Sequence, residues 1–287
     1  MTNQTTHPDQ ITIGVFDSGF GGLTVLRELL PLIPAARYLY LGDTARLPYG
    51  SKSRETIARY AVSSARFLLD QGADLLVIAC NTATALALDD IRTAALPIPV
   101  LGVIEPGAQA AAKVTLAARE STDQTPGSQV LVLATTATVQ SHAYSHALAR
   151  LGIHATEKAC PLLVPLVEEG WIDHPVTREV ARIYLSEALA EDPAINTLLL
   201  GCTHYPLLRP LLQQTLVDLG RPLTLIDSAQ ATAQAVAAWF QQASPLSERK
   251  GALYTFYATD FTDKFERLGS RFLGQPLSGV HLIDLGG

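Results

Sequence analysis

The sequence predicts an α/β fold with parallel sheets, and three observations carry that prediction. Short apolar runs alternate with stretches of helical spacing along the whole chain, the order expected of strand–helix–strand units with right-handed crossovers. The runs are near-continuous in apolar residues, which suits sheets covered on both faces by helices. Nearly every polar cluster falls at the carboxyl end of a run, where ligands bind in folds of this kind.

Ile11 to Phe16 reads as the first strand, ending at Asp17-Ser-Gly-Phe-Gly-Gly22, with helical spacing after it through Leu23, Leu26, Leu29 and Leu30. Arg37 to Leu41 is the second strand, followed by Gly42-Asp43 and a loop holding Leu47-Pro-Tyr-Gly50. A helix is predicted from Ser53, its cap, to Leu69. Asp74 to Ala79 ends on Cys80-Asn-Thr82 before an alanine-rich helix, and Pro99 to Val103 leads to a helix from about Gly107 to Ala118. Glu120 to Ser128 is polar and turn-rich, an insertion or surface loop. Gln129 to Ala134 restarts the pattern and stops at Thr135-Thr-Ala-Thr138, with one helix toward Leu151. A strand from His154 to Ala159 stops at Cys160-Pro161, and helices follow near 162–169 and 175–190. The run before Gly201 is the next strand, and a helix is expected from Pro206 toward Leu219. Leu223 to Asp227, a helix to Phe240, Leu253 to Tyr257, a helix over 261–272 and Val280 to Ile283 complete the set.

The 287 residues allow one large or two modest domains, and 48% hydrophobic against 17% charged residues describes a well-packed chain. A net charge of -6 gives no electrostatic reason to expect nucleic acid or an anionic membrane as partner. No apolar run approaches the ~20 residues of a membrane span. The polar N-terminus lacks the basic flank and apolar core of a signal peptide, and the extension before Ile11 is expected to be disordered. Three unevenly spaced cysteines do not suggest a disulfide framework, so free thiols in a reducing cytoplasm are expected.

Cys160, between apolar residues and a proline, reads as packing. Cys80 and Cys202 differ: each stands one step past a strand, beside hydrogen-bonding side chains, and before an expected helix N-terminus that would favour the thiolate. Two such thiols suit redox chemistry or proton transfer on both faces of a carbon acid, the second needing one thiol ionised and its partner neutral. No Cys-x-x-Cys pair supports disulfide exchange, and a zinc site on Cys80, Cys202 and His204 lacks a fourth ligand identifiable by spacing. The glycines around Gly19, Gly21 and Gly22 do not form a dinucleotide fingerprint. They allow either a tight turn or a pocket wall in which Asp17 assists a thiol and backbone amides bind a carboxylate. None of the lysines (Lys52, Lys113, Lys158, Lys250, Lys264) follows a strong strand as a pyridoxal Schiff-base residue would. The other histidines carry no informative spacing.

The first strand's Asp17-Ser18 and the strand ending in Cys80-Asn81-Thr82 are echoed, in order, by Thr135–Thr138 and Cys202-Thr203-His204. Two similar units facing each other would bring all four strand ends together.

These motifs carry a family resemblance. Phe16-Asp-Ser-Gly-Phe-Gly-Gly-Leu-Thr-Val25, Leu41 to Gly50, Ala79-Cys-Asn-Thr-Ala-Thr84, Gly102 to Gly107, Cys160 to Glu168 and Gly201-Cys-Thr-His-Tyr-Pro206 resemble the glutamate racemases, over roughly residues 11 to 275. The resemblance implies two similar three-layer α/β domains with mostly parallel sheets facing each other across an active-site cleft. Residues 1–104 and 222–287 would form the first domain and 105–221 the second. It further implies cofactor-independent interconversion of L- and D-glutamate, supplying peptidoglycan synthesis, by a homodimer. Cys80 would take the α-proton from D-glutamate and Cys202 from L-glutamate, with Asp17 supporting Cys80, His204 supporting Cys202 and Glu168 a more distant helper. Substrate contacts would come from Asp17, Ser18, Pro48, Tyr49, Gly50, Asn81, Thr82, Thr135, Thr138, Thr203 and His204. One departure is visible: Ala134 and Ala137 stand where the family has glycines.

Overall fold

The computed structural model describes residues 10–121, 129–243 and 252–286. The N-terminal extension up to residue 9 and most of the turn-rich segment, 122–128, lie outside the described residues.

Among the described residues, ten strands form two all-parallel sheets. The first sheet contains β1 (Thr12–Asp17), β2 (Arg37–Gly42), β3 (Leu75–Ile78), β4 (Val100–Gly102), β9 (Leu253–Ala258) and β10 (Val280–Leu282), in the order β10-β9-β2-β1-β3-β4. The second contains β5 (Gln129–Ala134), β6 (His154–Ala159), β7 (Ile195–Gly201) and β8 (Thr224–Asp227), in the order β6-β5-β7-β8. Every residue of β1 and β3 is buried, as expected of parallel strands roofed on both faces. The strand at 224–227, which the sequence division grouped with the first domain, pairs with β7 in the second sheet. The chain returns to the first sheet only at β9.

Helices α1 (Leu23–Leu32), α2 (Arg54–Asp70), α3 (Asn81–Ala95) and α4 (Ile104–Ser121) occupy the first half. Ser53 caps α2 as predicted, its hydroxyl accepting from the Thr56 amide at 3.4 Å. Helix α4 begins at Ile104, not Gly107, because Pro106 falls in the first turn, where its missing N–H leaves no bond unmade. The single helix expected after Thr138 is instead α5 (Thr136–Gln140) and α6 (Ala143–Ala149). The break is at His142, whose φ of 54° is left-handed and ends the ladder.

Helices α7 (Leu163–Glu168), α8 (Pro175–Glu191), α9 (Arg209–Asp218), α10 (Ser228–Ala243) and α11 (Thr262–Leu273) complete the structure. Residues 205–208 form a short 3-10 turn ahead of α9, so the α-helix predicted from Pro206 starts at Arg209. Helix α1 packs against α10. Through these helices one buried apolar cluster runs from Ile13 and Val77 of the first sheet to Leu131 and Leu198 of the second. The two sheets are therefore joined by continuous core at their backs, while the carboxyl ends of β1, β3, β5 and β7 stay free to build a site. No helix among the described residues is long and apolar enough to cross a membrane.

Candidate active site

Parallel strands place their carboxyl ends on one edge, and both sheets direct that edge to a single cavity of about 420 Å³. That is room for a small metabolite, since such sites span roughly 300–1,000 Å³. Cys80 and Cys202 both line it, together with Ser18, Pro48, Tyr49, Gly50, Asn81, Thr82, Thr135, Glu168, Thr203 and His204. Asp17 and Thr138 are not among the lining residues; both are buried behind the wall. Leu47, Ser51, Thr136, Pro161, Val164 and Pro165 also line the cavity and were not singled out by the sequence. Leu47, Thr136, Pro161, Val164 and Pro165 nonetheless lie inside the quoted stretches Leu41 to Gly50, Thr135 to Thr138 and Cys160 to Glu168, and Ser51 directly follows the first of these.

Cys80 occupies the N-cap of α3, and its sulfur accepts from the Ala83 amide at 3.4 Å. The Ser18 hydroxyl lies 3.5 Å from the same sulfur. Burial pushes the Cys80 thiol up to about 12, and the nearby Asp17 charge adds to the rise, against these hydrogen bonds. Burial thus favours the neutral Cys80 thiol, while the positive end of α3 favours its thiolate.

Asp17 ends β1, and its Oδ2 accepts from the Gly19 amide at 2.9 Å. Its Oδ1 is buried without a hydrogen-bond partner among the described residues. Burial raises the Asp17 carboxyl above its ordinary value, partly offset by His204 and by backbone amides. A carboxylate that is more basic than usual is suited to exchange a proton with a neighbour.

The second half-site is built differently. Cys202 follows β7, but no α-helix starts beside it; the expectation of a helix N-terminus after both cysteines holds for Cys80 alone. Its sulfur instead faces His204 Nδ1 at 4.0 Å. The other ring nitrogen, Nε2, lies 3.1 Å from Glu168 Oε1. Both nitrogens of His204 thus meet protein groups, which leaves neither as a free metal ligand. Burial works against the imidazolium, but the hydrogen bonds to Cys202 and Glu168 and their charges outweigh it and hold His204 at about 10. Burial likewise raises Glu168, and its bond to His204 overrides that and brings it below the usual range. The Phe272 ring packs edge-on against His204 with centroids 5.0 Å apart.

Contacts between the halves fix their separation. Thr82 Oγ1 lies 2.9 Å from Thr135 Oγ1 and 3.2 Å from Thr138 Oγ1, and those two are 3.0 Å apart. This triangle of hydroxyls ties α3 to α5. Thr135 also caps α5 through the Thr138 amide at 3.4 Å, so the alanines at 134 and 137 leave the threonine turn formed. On the other side Thr24 Oγ1 donates to Thr203 O at 3.1 Å. Gly21 admits no side chain: a Cβ there would stand 2.1 Å from Thr203 Oγ1 and 2.6 Å from His204 Nδ1.

Tyr49 is held by a group the sequence reading passed over. Its hydroxyl donates to buried Asp43, which also accepts from Arg46 Nε at 2.7 and 2.8 Å and from Thr259 Oγ1 at 3.0 Å. Asp43 is thus the anchor of the 47–51 wall. Cys160 is fully buried, away from the cavity lining, as read from the sequence.

Known proteins resemble this chain over most of its length. A family model described as Asp/Glu/Hydantoin racemase matches residues 13–236. Glutamate racemase of Koribacter versatilis (strain Ellin345) is 51% identical, with 96% of this chain and 98% of the relative covered. That of Syntrophus aciditrophicus (strain SB) is 47% identical, covering 97% and 98%. The crystal structure of glutamate racemase from Francisella tularensis subsp. tularensis SCHU S4 in complex with D-glutamate matches with a TM-score of 0.85 and 34% identity, over 96% of this chain and 98% of that one.

Proposed function

This chain belongs to the Asp/Glu/hydantoin racemase family, and on that footing we propose that it interconverts L- and D-glutamate by proton transfer between two thiols. The observation that carries the reading is the pairing of two buried cysteines, from the strand ends of two different sheets, in one cavity. One thiolate removes the Cα proton from one face, forming an S–H bond while the C–H electron pair passes into the substrate's carboxylate system. The opposite thiol then delivers its proton to the other face and becomes the thiolate. Atoms balance without a cofactor, and the two sulfurs exchange roles with each turnover.

In this scheme Cys80 serves D-glutamate and Cys202 serves L-glutamate. Asp17 takes up or returns the Cys80 proton, and His204 does so for Cys202. Glu168 keeps His204 charged. Ser18, Pro48, Tyr49, Gly50, Asn81, Thr82, Thr135 and Thr203 surround the substrate, with Thr138 supporting the threonine wall from behind. A division into two domains at 104/105 and beyond β8, which the sheet pairing keeps with the second domain, a cytoplasmic homodimer and a supply role for peptidoglycan belong to the same proposal. Sedimentation of the purified chain tests the dimer.

Incubation with L-glutamate in deuterated water, thiols reduced and no pyridoxal phosphate added, should yield D-glutamate carrying α-deuterium. Absence of that product would sink the assignment, and a panel including aspartate separates the neighbouring racemase specificities.

Glu168→Gln provides a test of the imidazole's supporting role. The carboxylate is one of the groups holding His204 at about 10, so its neutral replacement should move the ring's titration midpoint downward in an NMR titration. A histidine raised in the folded state stabilises fully below its unfolded value of ~6.5, and that stabilisation is lost as pH rises through about 10. The wild type should therefore lose Tm over that window, and Glu168→Gln should lose less of it, ending at a lower pH. An unchanged midpoint would remove Glu168 from the relay.

A further inference from the structure

Tyr144 on α6 is fully buried and touches both cysteine turns. Its hydroxyl donates to Asn81 Oδ1 at 2.6 Å, one residue after Cys80. Its ring edge fills the space beside Gly201, one residue before Cys202; a Cβ at Gly201 would stand 2.9 Å from Tyr144 Cε2. The nearby Ser228 hydroxyl spends its proton on Leu200 O at 2.8 Å. The phenol's proton goes to Asn81 Oδ1, and burial raises the phenol so that this proton stays in place. The consequence falls on the asparagine amide. With Oδ1 committed to the phenol, its Nδ2 donor is the end left over, and that nitrogen is buried without a partner among the described residues. Asn81 itself lines the cavity. A buried amide nitrogen with no acceptor is costly.

We infer that Tyr144 is a positioning residue that fixes the Asn81 amide, so that Nδ2 is offered to a carboxylate oxygen of the substrate. The inference rests on the glutamate racemase reading and deepens it. The seat at Gly201 gives α6 its register: the same ring that packs under the Cys202 strand sets the hydroxyl at the Cys80 turn. Two hydrogen bonds hold the start of α6 in turn. The Ser145 hydroxyl donates to Glu157 Oε2 at 2.6 Å, and the Ala143 amide donates to Ser141 Oγ at 3.2 Å.

The test is a double-mutant cycle read by calorimetric titration of D-glutamate and by racemisation kinetics. Tyr144→Phe keeps the ring and its seat on Gly201 but frees the amide to turn. Affinity for glutamate should fall about tenfold, the loss of roughly one charge-assisted hydrogen bond, with KM rising more than kcat falls. Asn81→Ala should remove the same binding, and adding Tyr144→Phe to it should cost nothing further. Additive losses, or an unchanged affinity in Tyr144→Phe, would overturn the proposal. Should Tyr144→Phe prove too unstable to assay, Asn81→Asp decides. It keeps an acceptor for the phenol and lacks the nitrogen donor, so glutamate binding should fail although the tyrosine bond survives; retained binding would refute the inference. The wild-type protein in the same assay separates the two levels: if it racemises glutamate and Tyr144→Phe behaves like wild type, only the positioning role falls.

Discussion

Cys202→Ala should reduce glutamate racemisation by about 10³-fold, within the range of a lost general acid–base group. The more telling result is what the variant should keep. Cys80, its Ser18 contact and its place at the head of α3 are untouched by the change. In deuterated water, D-glutamate should then still take up α-deuterium with retention, because its proton faces the surviving thiol. L-glutamate should not exchange. Cys80→Ala should show the mirror image, exchange of L-glutamate alone. Chiral chromatography with mass detection reads both quantities from one sample. Loss of exchange for both enantiomers in both variants would contradict independent bases on opposite faces, while residual inversion near the wild-type rate would remove Cys202 from the chemistry.

Gly21→Ala should be strongly damaging although it adds a single methyl group. Its backbone is ordinary in φ, so the constraint is space. The added carbon would stand 2.1 Å from Thr203 Oγ1 and 2.6 Å from His204 Nδ1, both on the turn that carries Cys202 and both buried. Relief requires the β1 turn and the β7 turn to separate. A shift on the order of 1 Å between catalytic groups costs ~10²-fold in rate, and overpacking costs ~2 kcal/mol, or a fall in Tm of roughly 5 °C. Kinetics and thermal melts of the same preparation should show the activity loss exceeding what the melt explains. A melt and a rate both near wild type would mean that the turns are looser than the contacts indicate.

Much of this is legible in the sequence. The strands could be read because parallel strands are apolar on both faces, and the cysteines stood out because each closes such a run. Helix ends were less legible where local rules compete. Pro106 reads as a stop although it sits comfortably inside the first turn of α4. His142 interrupts a helical pattern by adopting a left-handed φ that its residue type does not announce. The membership of β8 in the second sheet is a long-range pairing choice, which spacing along the chain does not encode. Within the site, residues that touch the cavity were visible as motifs, whereas those that hold them were not. Asp43 could be any loop aspartate until Tyr49, Arg46 and Thr259 converge on it. Tyr144 could be any core tyrosine until its hydroxyl meets Asn81.

The two thiols are held by unlike devices: Cys80 by backbone amides and a helix end, Cys202 by an imidazole tied to a carboxylate. Enantiomers are equal in free energy, so kcat/KM must be the same in both directions whatever the protein does. Any inequality between the halves is confined to kcat and KM separately. In the proposed two-thiol scheme, each turnover also leaves the sulfurs in the protonation pattern that fits only the return reaction. Before a second molecule of the same enantiomer can react, the protons must redistribute. In that scheme the reservoir for the resetting is a titratable ring on one side and a buried carboxyl on the other. At high concentrations of a single enantiomer, the pace of the cycle passes from carbon chemistry to the recharging of the protein itself.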